Sequence, residues 1–308
     1  MSALGEHAQQ YLRARRALGV KLERHGQLLP QLVAYLEAAG ASTITRELAI
    51  SWARLPINAH PRHWAARLSI ARGFAAYLHT IDPATEIPPA NVFAVRYQRP
   101  TPYLWSPQDI HRLLDAARGL RPSLKAATYE ALFGLLAVTG MRVGEAITLE
   151  PEDIDLDDGV ITIHEQTAKL ERARLVPLHP TTVQALHRYA RTRTRLCPTP
   201  RSRRFFVSSV GTALDRSAVS KTLRRLTTTL GLRTEAVHPR THDLRHSYAV
   251  STLIGWQRHG DRIDERIAVL STYLGHVSPT DTFWYLTATP ELMEAAAQRL
   301  ARHLGGRS

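Results

Sequence analysis

Residues 124–145 read LKAATYEALFGLLAVTGMRVGE. From 124 to 139 apolar side chains fall on nearly every side of a helical wheel, and a helix that is apolar all round belongs inside a core. Gly140 ends it, and the next turn delivers Arg142 to the start of another helix with Glu145 three residues on, on the same face. Working outward, Ser106-Pro107-Gln108-Asp109 is a helix start with a cap and a first-turn proline, followed by Ile110, Leu113 and Leu114 on one face. On the other side, 159–163 and 175–178 are alternating β-branched runs around a polar stretch, which predicts a short hairpin or three-stranded sheet across 153–178. Helical patterns then return over 181–195, 217–230, 242–256, 262–274 and 290–304. The first hundred residues predict helices at 2–18, 23–39 (ending at Gly40), 45–55 and 61–79. From 81 to 102 the periodicity stops and Pro83, Pro88, Pro89, Pro100 and Pro102 cluster. The expected fold is mainly α with a small β-sheet insert: a helical domain at 1–98, a linker at 99–105 and a second domain at 106–308.

The chain has 308 residues, 44% of them hydrophobic and 22% charged, enough for a full core without staples. Its single cysteine, Cys197, cannot form an internal disulfide, which fits a reducing, cytoplasmic setting. The first 16 residues have no apolar signal core, and the longest apolar run, at 131–139, is too short to span a bilayer. Secretion and membrane insertion are therefore not expected. The 40 basic residues outnumber 27 acidic ones, for a net charge of +13. Only four are lysines (Lys21, Lys125, Lys169, Lys221), leaving 36 arginines, whose planar fork matches phosphate oxygens. A GC-rich codon bias accounts for part of the arginine preference but not for the net charge. A nucleic-acid partner leads.

Four stretches concentrate reactive groups. The first is the 139–145 turn with Arg142, for which the plain alternative is a surface ion pair with Glu145. The second is His242-Asp243-Leu244-Arg245-His246-Ser247-Tyr248, where His242, Arg245 and His246 share a helical face and offer an imidazole beside a guanidinium. His238, His242 and His246 are spaced four apart, but Pro239 interrupts them and no cysteine is near, so no metal site is expected. Third comes Leu274-Gly275-His276, with Tyr285 nine residues on, in Thr282-Phe283-Trp284-Tyr285. Fourth is Lys169 in the polar turn of the β insert. Taken singly, the histidine reads as a cap or a surface group, the tyrosine as core and the lysine as solvated surface.

Their order is more specific than any member. Arg142, a lysine on a β turn, His-x-x-Arg, Leu-Gly-His and a tyrosine nine residues on closely resemble the signature of the tyrosine site-specific recombinases, the phage integrase family. The resemblance covers the second domain, and the N-terminal helices resemble the family's core-binding domain. Arg174-Leu175-Val176-Pro177-Leu178 resembles the strand after the family's lysine, and counting back from it selects Lys169 over Arg172 and Arg174. The interval from Arg245 to His276 is longer than usual and reads as a loop insertion.

The resemblance implies a catalytic set of Arg142, Lys169, His242, Arg245, His276 and Tyr285. Attack on a phosphodiester gathers charge on non-bridging oxygens, which guanidinium forks stabilise. Tyr285 would form a 3′-phosphotyrosyl link, Lys169 would protonate the leaving 5′ oxygen, and the histidines would donate hydrogen bonds or shuttle protons near neutral pH. Neither metal nor cofactor is expected. Between 181 and 204 there are seven arginines and no acid (Arg188, Arg191, Arg193, Arg195, Arg201, Arg203, Arg204). These suit DNA phosphates, or a solvated helix face; Arg13, Arg15, Arg16 and Lys21 would contribute from the first domain. The expected partner is double-stranded DNA with specific recombination sites. The protein would be a homotetramer on synapsed DNA, exchanging the 290–304 helix between protomers, and a monomer when free. A type IB topoisomerase-like relaxing enzyme and a non-enzymatic DNA-binding module are the competing functions.

Overall fold

The computed structural model describes residues 2–20, 22–93, 101–164, 173–276 and 282. The chain divides into two compact units, Met1–Arg99 and Pro100–Ser308. The first unit is built from α1 (Ala3–Ala17), α2 (Glu23–Ala38), α3 (Arg46–Arg54) and α4 (Pro61–His79). Ser2 and Thr45 start α1 and α3 by accepting the backbone N–H of Gly5 and Leu48 at 3.1 and 3.2 Å, each satisfying one of the orphan donors of a first turn. Leu29, Leu32, Leu36, Trp52 and Phe74 are fully buried at the centre. Arg67 is buried with them: its guanidinium lies 4.0 Å from the centroid of the Trp52 ring and donates to the Trp52 carbonyl.

The second unit runs α5 (Pro107–Arg118), α6 (Ser123–Thr139), the short α7 (Val143–Ala146), a 3-10 turn (Pro151–Asp153), β1 (Ile154–Asp155), β2 (Val160–Ile163), β3 (Arg174–Pro177), α8 (Pro180–Leu196), α9 (Arg216–Thr229), α10 (Thr241–Arg258) and α11 (Ile263–Leu274). As its composition requires, α6 is central, packed against α5, α8 and α10 with Leu132, Phe133, Leu135 and Leu136 buried. Each such side chain contributes about 1.5–3 kcal/mol. The insert is a three-stranded antiparallel sheet in the order β1-β2-β3, with Ile161 opposite Val176 and Ile163 opposite Arg174. The expected class, mainly α with a small sheet, is the one found. Among the described residues no helix is long and apolar enough to cross a membrane.

Two boundaries differ from the sequence reading. Residues 103–105, placed there in the linker, belong to the second unit. Trp105 is 4% exposed, its backbone N–H donates to the Ser247 hydroxyl at 2.7 Å, and Tyr103 packs edge-on against its ring. The proline cluster marks the end of periodicity, but the aromatic pair resumes the core before any helix begins. The third strand starts one residue earlier than its apolar run, at Arg174, which shares the inward face with Val176 while Leu175 is 64% exposed. The predicted 290–304 helix lies outside the described residues.

Candidate functional site

The site forms where α6, α10 and α11 end or begin. Gly140 closes α6 in the left-handed region at φ +61°, and a Cβ there would stand 2.5 Å from the Tyr248 ring, so glycine is required by conformation and by space. Its carbonyl accepts from Nη1 of Arg245 at 2.9 Å. Arg142 then precedes α7, and the Glu145 carboxylate accepts both the Arg142 backbone N–H and its Nη1, each at 2.9 Å. The surface ion pair considered from sequence is not what forms, because Glu145 is only 2% exposed. Burial alone would raise the Glu145 pKa. Hydrogen bonds and charge from Arg174, together with the two bonds from Arg142, outweigh burial and hold the carboxyl below its usual range.

The C-terminal end of α11 organises the rest. Helices end with carbonyls that lack intrahelical partners, and here those carbonyls hold arginines. The N–H groups of Gly275 and His276 bond to the Thr272 and Ser271 carbonyls. The next three carbonyls accept in turn from Arg174 Nε (Tyr273 O, 2.8 Å), Arg245 Nη2 (Leu274 O, 2.7 Å) and Arg142 Nη2 (Gly275 O, 2.8 Å). The negative end of the helix dipole thus faces three guanidiniums. Gly275, at φ +66°, permits the close approach: a Cβ would meet Arg174 Nη1 at 2.9 Å. Arg245 is 1% exposed, and the side chains of Arg142 and Arg174 are 17% and 7% exposed. Three guanidiniums against one carboxylate leave this cluster positive, in a place where water screens it little.

His276 sits among them, 8% exposed, with Nδ1 2.7 Å from the hydroxyl of the fully buried Thr282. Burial, then the charges of Arg245, Arg142, His242 and Arg174, push its pKa down to about 3. The imidazole is therefore neutral across the physiological range, where the sequence reading expects titration near neutrality. His242 is exposed on the first turn of α10, and its ring centroid lies 5.7 Å from that of the buried His246. Asp243 fixes this helix start by accepting the Arg240 backbone N–H at 2.8 Å and its Nη2 at 3.0 Å.

Of the residues singled out from sequence, Arg142, His242, Arg245 and His276 are brought together, while Lys169, Tyr285 and Lys21 lie outside the described residues. Arg174 is the member that sequence reasoning missed as a site residue. Its signal was the strand's period of two, since a buried Val176 places residue 174 on the same face. Arg216, whose guanidinium stands against Gly144 in the arginine turn, was missed as well. The seven arginines of 181–204 separate. Arg188, Arg191, Arg195 and Arg201 are exposed, the first three along one face of α8. Arg193 donates to the Arg204 carbonyl, Arg204 pairs with Glu150 at 3.2 Å, and Arg203 reaches Glu150 and Glu152 at 3.7 and 3.9 Å. The stretch has no acid of its own, but the 3-10 turn supplies acids to it. Arg13, Arg15 and Arg16 are exposed on α1.

Comparison with known proteins gives a consistent result. The model of the phage integrase family matches residues 105–291. Over 310 residues the chain is 42% identical to the integrase/recombinase y4rB of Sinorhizobium fredii (strain NBRC 101917 / NGR234), covering 98% of each chain. It is 28% identical over 218 residues to tyrosine recombinase XerC of Alcanivorax borkumensis (strain ATCC 700651 / DSM 11573 / NCIMB 13689 / SK2), covering 71% of this chain and 66% of the other. Among solved structures, the Tn1549 transposon integrase in complex with a circular intermediate DNA matches with a TM-score of 0.63 at 18% identity, over 95% of this chain and 99% of that one. A lambda integrase dimer bound to a core site matches with a TM-score of 0.56 at 18% identity, over 92% and 76%.

Proposed function

This chain belongs to the phage integrase family and is a tyrosine recombinase, and we propose that it cuts and rejoins duplex DNA at specific sites through a covalent Tyr285 intermediate, in the service of a mobile element. The observation that carries this reading is the row of three arginines held by consecutive carbonyls at the end of α11. Backbone tethering fixes each guanidinium before substrate arrives, so little reorganisation is needed when charge develops on a phosphate. Arg142 and Arg245 bind the non-bridging oxygens of the scissile phosphate. The Tyr285 phenol oxygen attacks phosphorus, its proton passing to the neutral imidazole of His276, whose basicity rises as the phosphate anion enters. The bond from phosphorus to the 5′ oxygen breaks, and the Lys169 ammonium gives that oxygen a proton. The products are a 3′-phosphotyrosyl link and a free 5′-hydroxyl, and attack by a 5′-hydroxyl from a second duplex reverses the steps on a new partner. His242, at the exposed start of α10, donates to the phosphate. The linkage energy stays in the phosphotyrosine, so strand joining needs no ATP.

Arg13, Arg15, Arg16 and Lys21 in the first unit, and Arg188, Arg191, Arg195 and Arg201 in the second, hold the flanking duplex. The similar fold of a transposon integrase solved with a circular intermediate DNA supports a mobile-element role, and that structure and the lambda integrase bound to a core site support a DNA partner. Synapsis of two duplexes calls for a homotetramer, with the 290–304 segment passing between protomers. The test uses a nicked duplex carrying a site enriched from a random-sequence duplex pool by the Tyr285→Phe protein. Wild type is expected to form a denaturant-stable adduct with that duplex, and Tyr285→Phe none. An adduct that survives the substitution removes Tyr285 as nucleophile. Relaxation of any supercoiled plasmid without joined products would instead identify a topoisomerase.

A further inference from the structure

Arg174 takes no part in the steps above, yet it is among the most constrained cations in the second unit. It lies at the first position of β3, five residues beyond Lys169, and its side chain is 7% exposed. Nη2 and Nη1 grip the two oxygens of Glu145 at 2.8 and 3.3 Å, and Nε donates to the Tyr273 carbonyl at 2.8 Å. All three of its nitrogens are thus engaged by the protein, which suits a fixed element rather than a ligand for substrate. Glu145 receives a fork from one arginine and a single side-chain bond from the other, Arg142. A carboxylate buried to this degree and paired to Arg142 alone would hold that arginine in place, but it would also cancel the charge that a phosphate needs. With two arginines on it, one positive charge remains.

We propose that Arg174 is a positioning residue for strand cleavage: it absorbs the negative charge of Glu145, so that Glu145 orients Arg142 without neutralising it toward the scissile phosphate. The inference rests on the recombinase reading above. It makes Arg174 act through Glu145, and therefore the two should fail and recover together. Losing Arg174 leaves Glu145 with Arg142 as its counter-charge, draws Arg142 toward the carboxylate and lowers the field at the phosphate. Losing both leaves Arg142 less firmly held but fully charged.

The experiment measures single-turnover adduct formation at saturating enriched duplex, alongside affinity for the same duplex. Arg174→Gln is expected to slow cleavage about 100-fold, the scale of losing one preorganised charge, with affinity changed less than about threefold. Arg174→Lys, which keeps the charge without the fork, is expected to stay within about tenfold of wild type. Adding Glu145→Gln to Arg174→Gln is expected to recover at least about tenfold, a coupling that a purely structural or directly phosphate-binding arginine would not show. A double variant no faster than Arg174→Gln, or a lysine variant equally slow, overturns the proposal. Should Arg174→Gln fail to fold around its unpaired buried carboxylate, the double variant, which lacks that carboxylate, is compared with wild type. Cleavage within about 30-fold then supports the proposal, and a greater loss overturns it. Failure of the wild type itself to form an adduct would sink the recombinase reading, which separates the two outcomes.

Discussion

Two sets of arginines in the second unit have the same chemistry and opposite settings. Arg142, Arg174 and Arg245 are buried to half-buried, each bonded to a backbone carbonyl, and two of them share Glu145. Arg188, Arg191 and Arg195 lie exposed along one face of α8. The buried set has exchanged conformational freedom for position, and in a low-dielectric setting each of its charges acts strongly over a few ångströms. The exposed set keeps its side-chain entropy and acts through a screened field that fades over about 8–10 Å at physiological salt. Net charge counts both alike. Function should separate them, the first through reaction rate and the second through affinity.

The sharpest break in that comparison would come at Arg245. Lysine there keeps the charge but cannot reach the Gly140 and Leu274 carbonyls, 105 and 29 residues away in sequence, and still present a fork to phosphate. Arg245→Lys should slow adduct formation about 10²- to 10³-fold at saturating duplex, with affinity shifted less than about fivefold, because one of several phosphate contacts changes. Parallel losses in rate and affinity would place Arg245 in the same class as the exposed arginines and dissolve the distinction.

How much of this could be read from the sequence follows from how local each interaction is. Helix spans, the sheet insert and the α6 core depend on periodicity within some 15 residues, and among the described residues they are found within a residue or two of expectation. The turn at Gly140 carries its own signal, a glycine after an apolar helix. The bond from Arg174 to Glu145 spans 29 residues, and those from Arg174 to Tyr273 and Arg142 to Gly275 span 99 and 133. No periodicity reports such pairings. The apolar run begins at Leu175, so nothing in the run itself marks Arg174, one residue before it, as an inward-facing cation that would meet Glu145. In the same way, no acid within 181–204 hinted that Glu150 and Glu152 would meet Arg203 and Arg204.

The two sets should also differ in acid. The buried set surrounds a histidine whose pKa burial and the neighbouring arginine charges push down to about 3, and the exposed set surrounds no such group among the described residues. The unfolded chain binds a proton at that imidazole below about pH 6.5 and the native state resists it, so stability falls as pH drops from about 6.5 toward 3. The slope from this group is at most about 1.4 kcal/mol per pH unit. Glu145 acts in the same direction at lower pH, since the unfolded chain protonates that carboxyl in the ordinary carboxylate range while the native state, with its pKa depressed, resists. His25 in the first unit is also lowered, by burial and by Arg15 and Arg24, so the readout is a difference. Urea-derived stabilities measured from pH 7 to 5 should decline less steeply for His276→Gln than for wild type. Parallel curves would show that the arginine cluster does not hold the imidazole neutral.

The smallest effects test whether the exposed set is itself uniform. Arg191 is exposed and has no acid in its own stretch of chain, whereas Arg203, 80% exposed, faces Glu150 and Glu152 at 3.7 and 3.9 Å. Pairs this open are worth about 0–1 kcal/mol to folding, so neither substitution should unfold the chain. A phosphate contact releases counterions, and removing one should flatten the slope of log affinity against log salt by about 0.9. Arg191→Ala is therefore expected to weaken duplex binding a few-fold and to flatten that slope by nearly one unit, with the saturating cleavage rate intact. Arg203→Ala should leave the slope unchanged and move affinity less than about twofold, since its guanidinium is already turned to two carboxylates. Equal slopes for the two variants would mean that DNA recruits Arg203 away from its acids. The division within 181–204 would then hold only for the free protein, and the charge run would act on DNA as a single field.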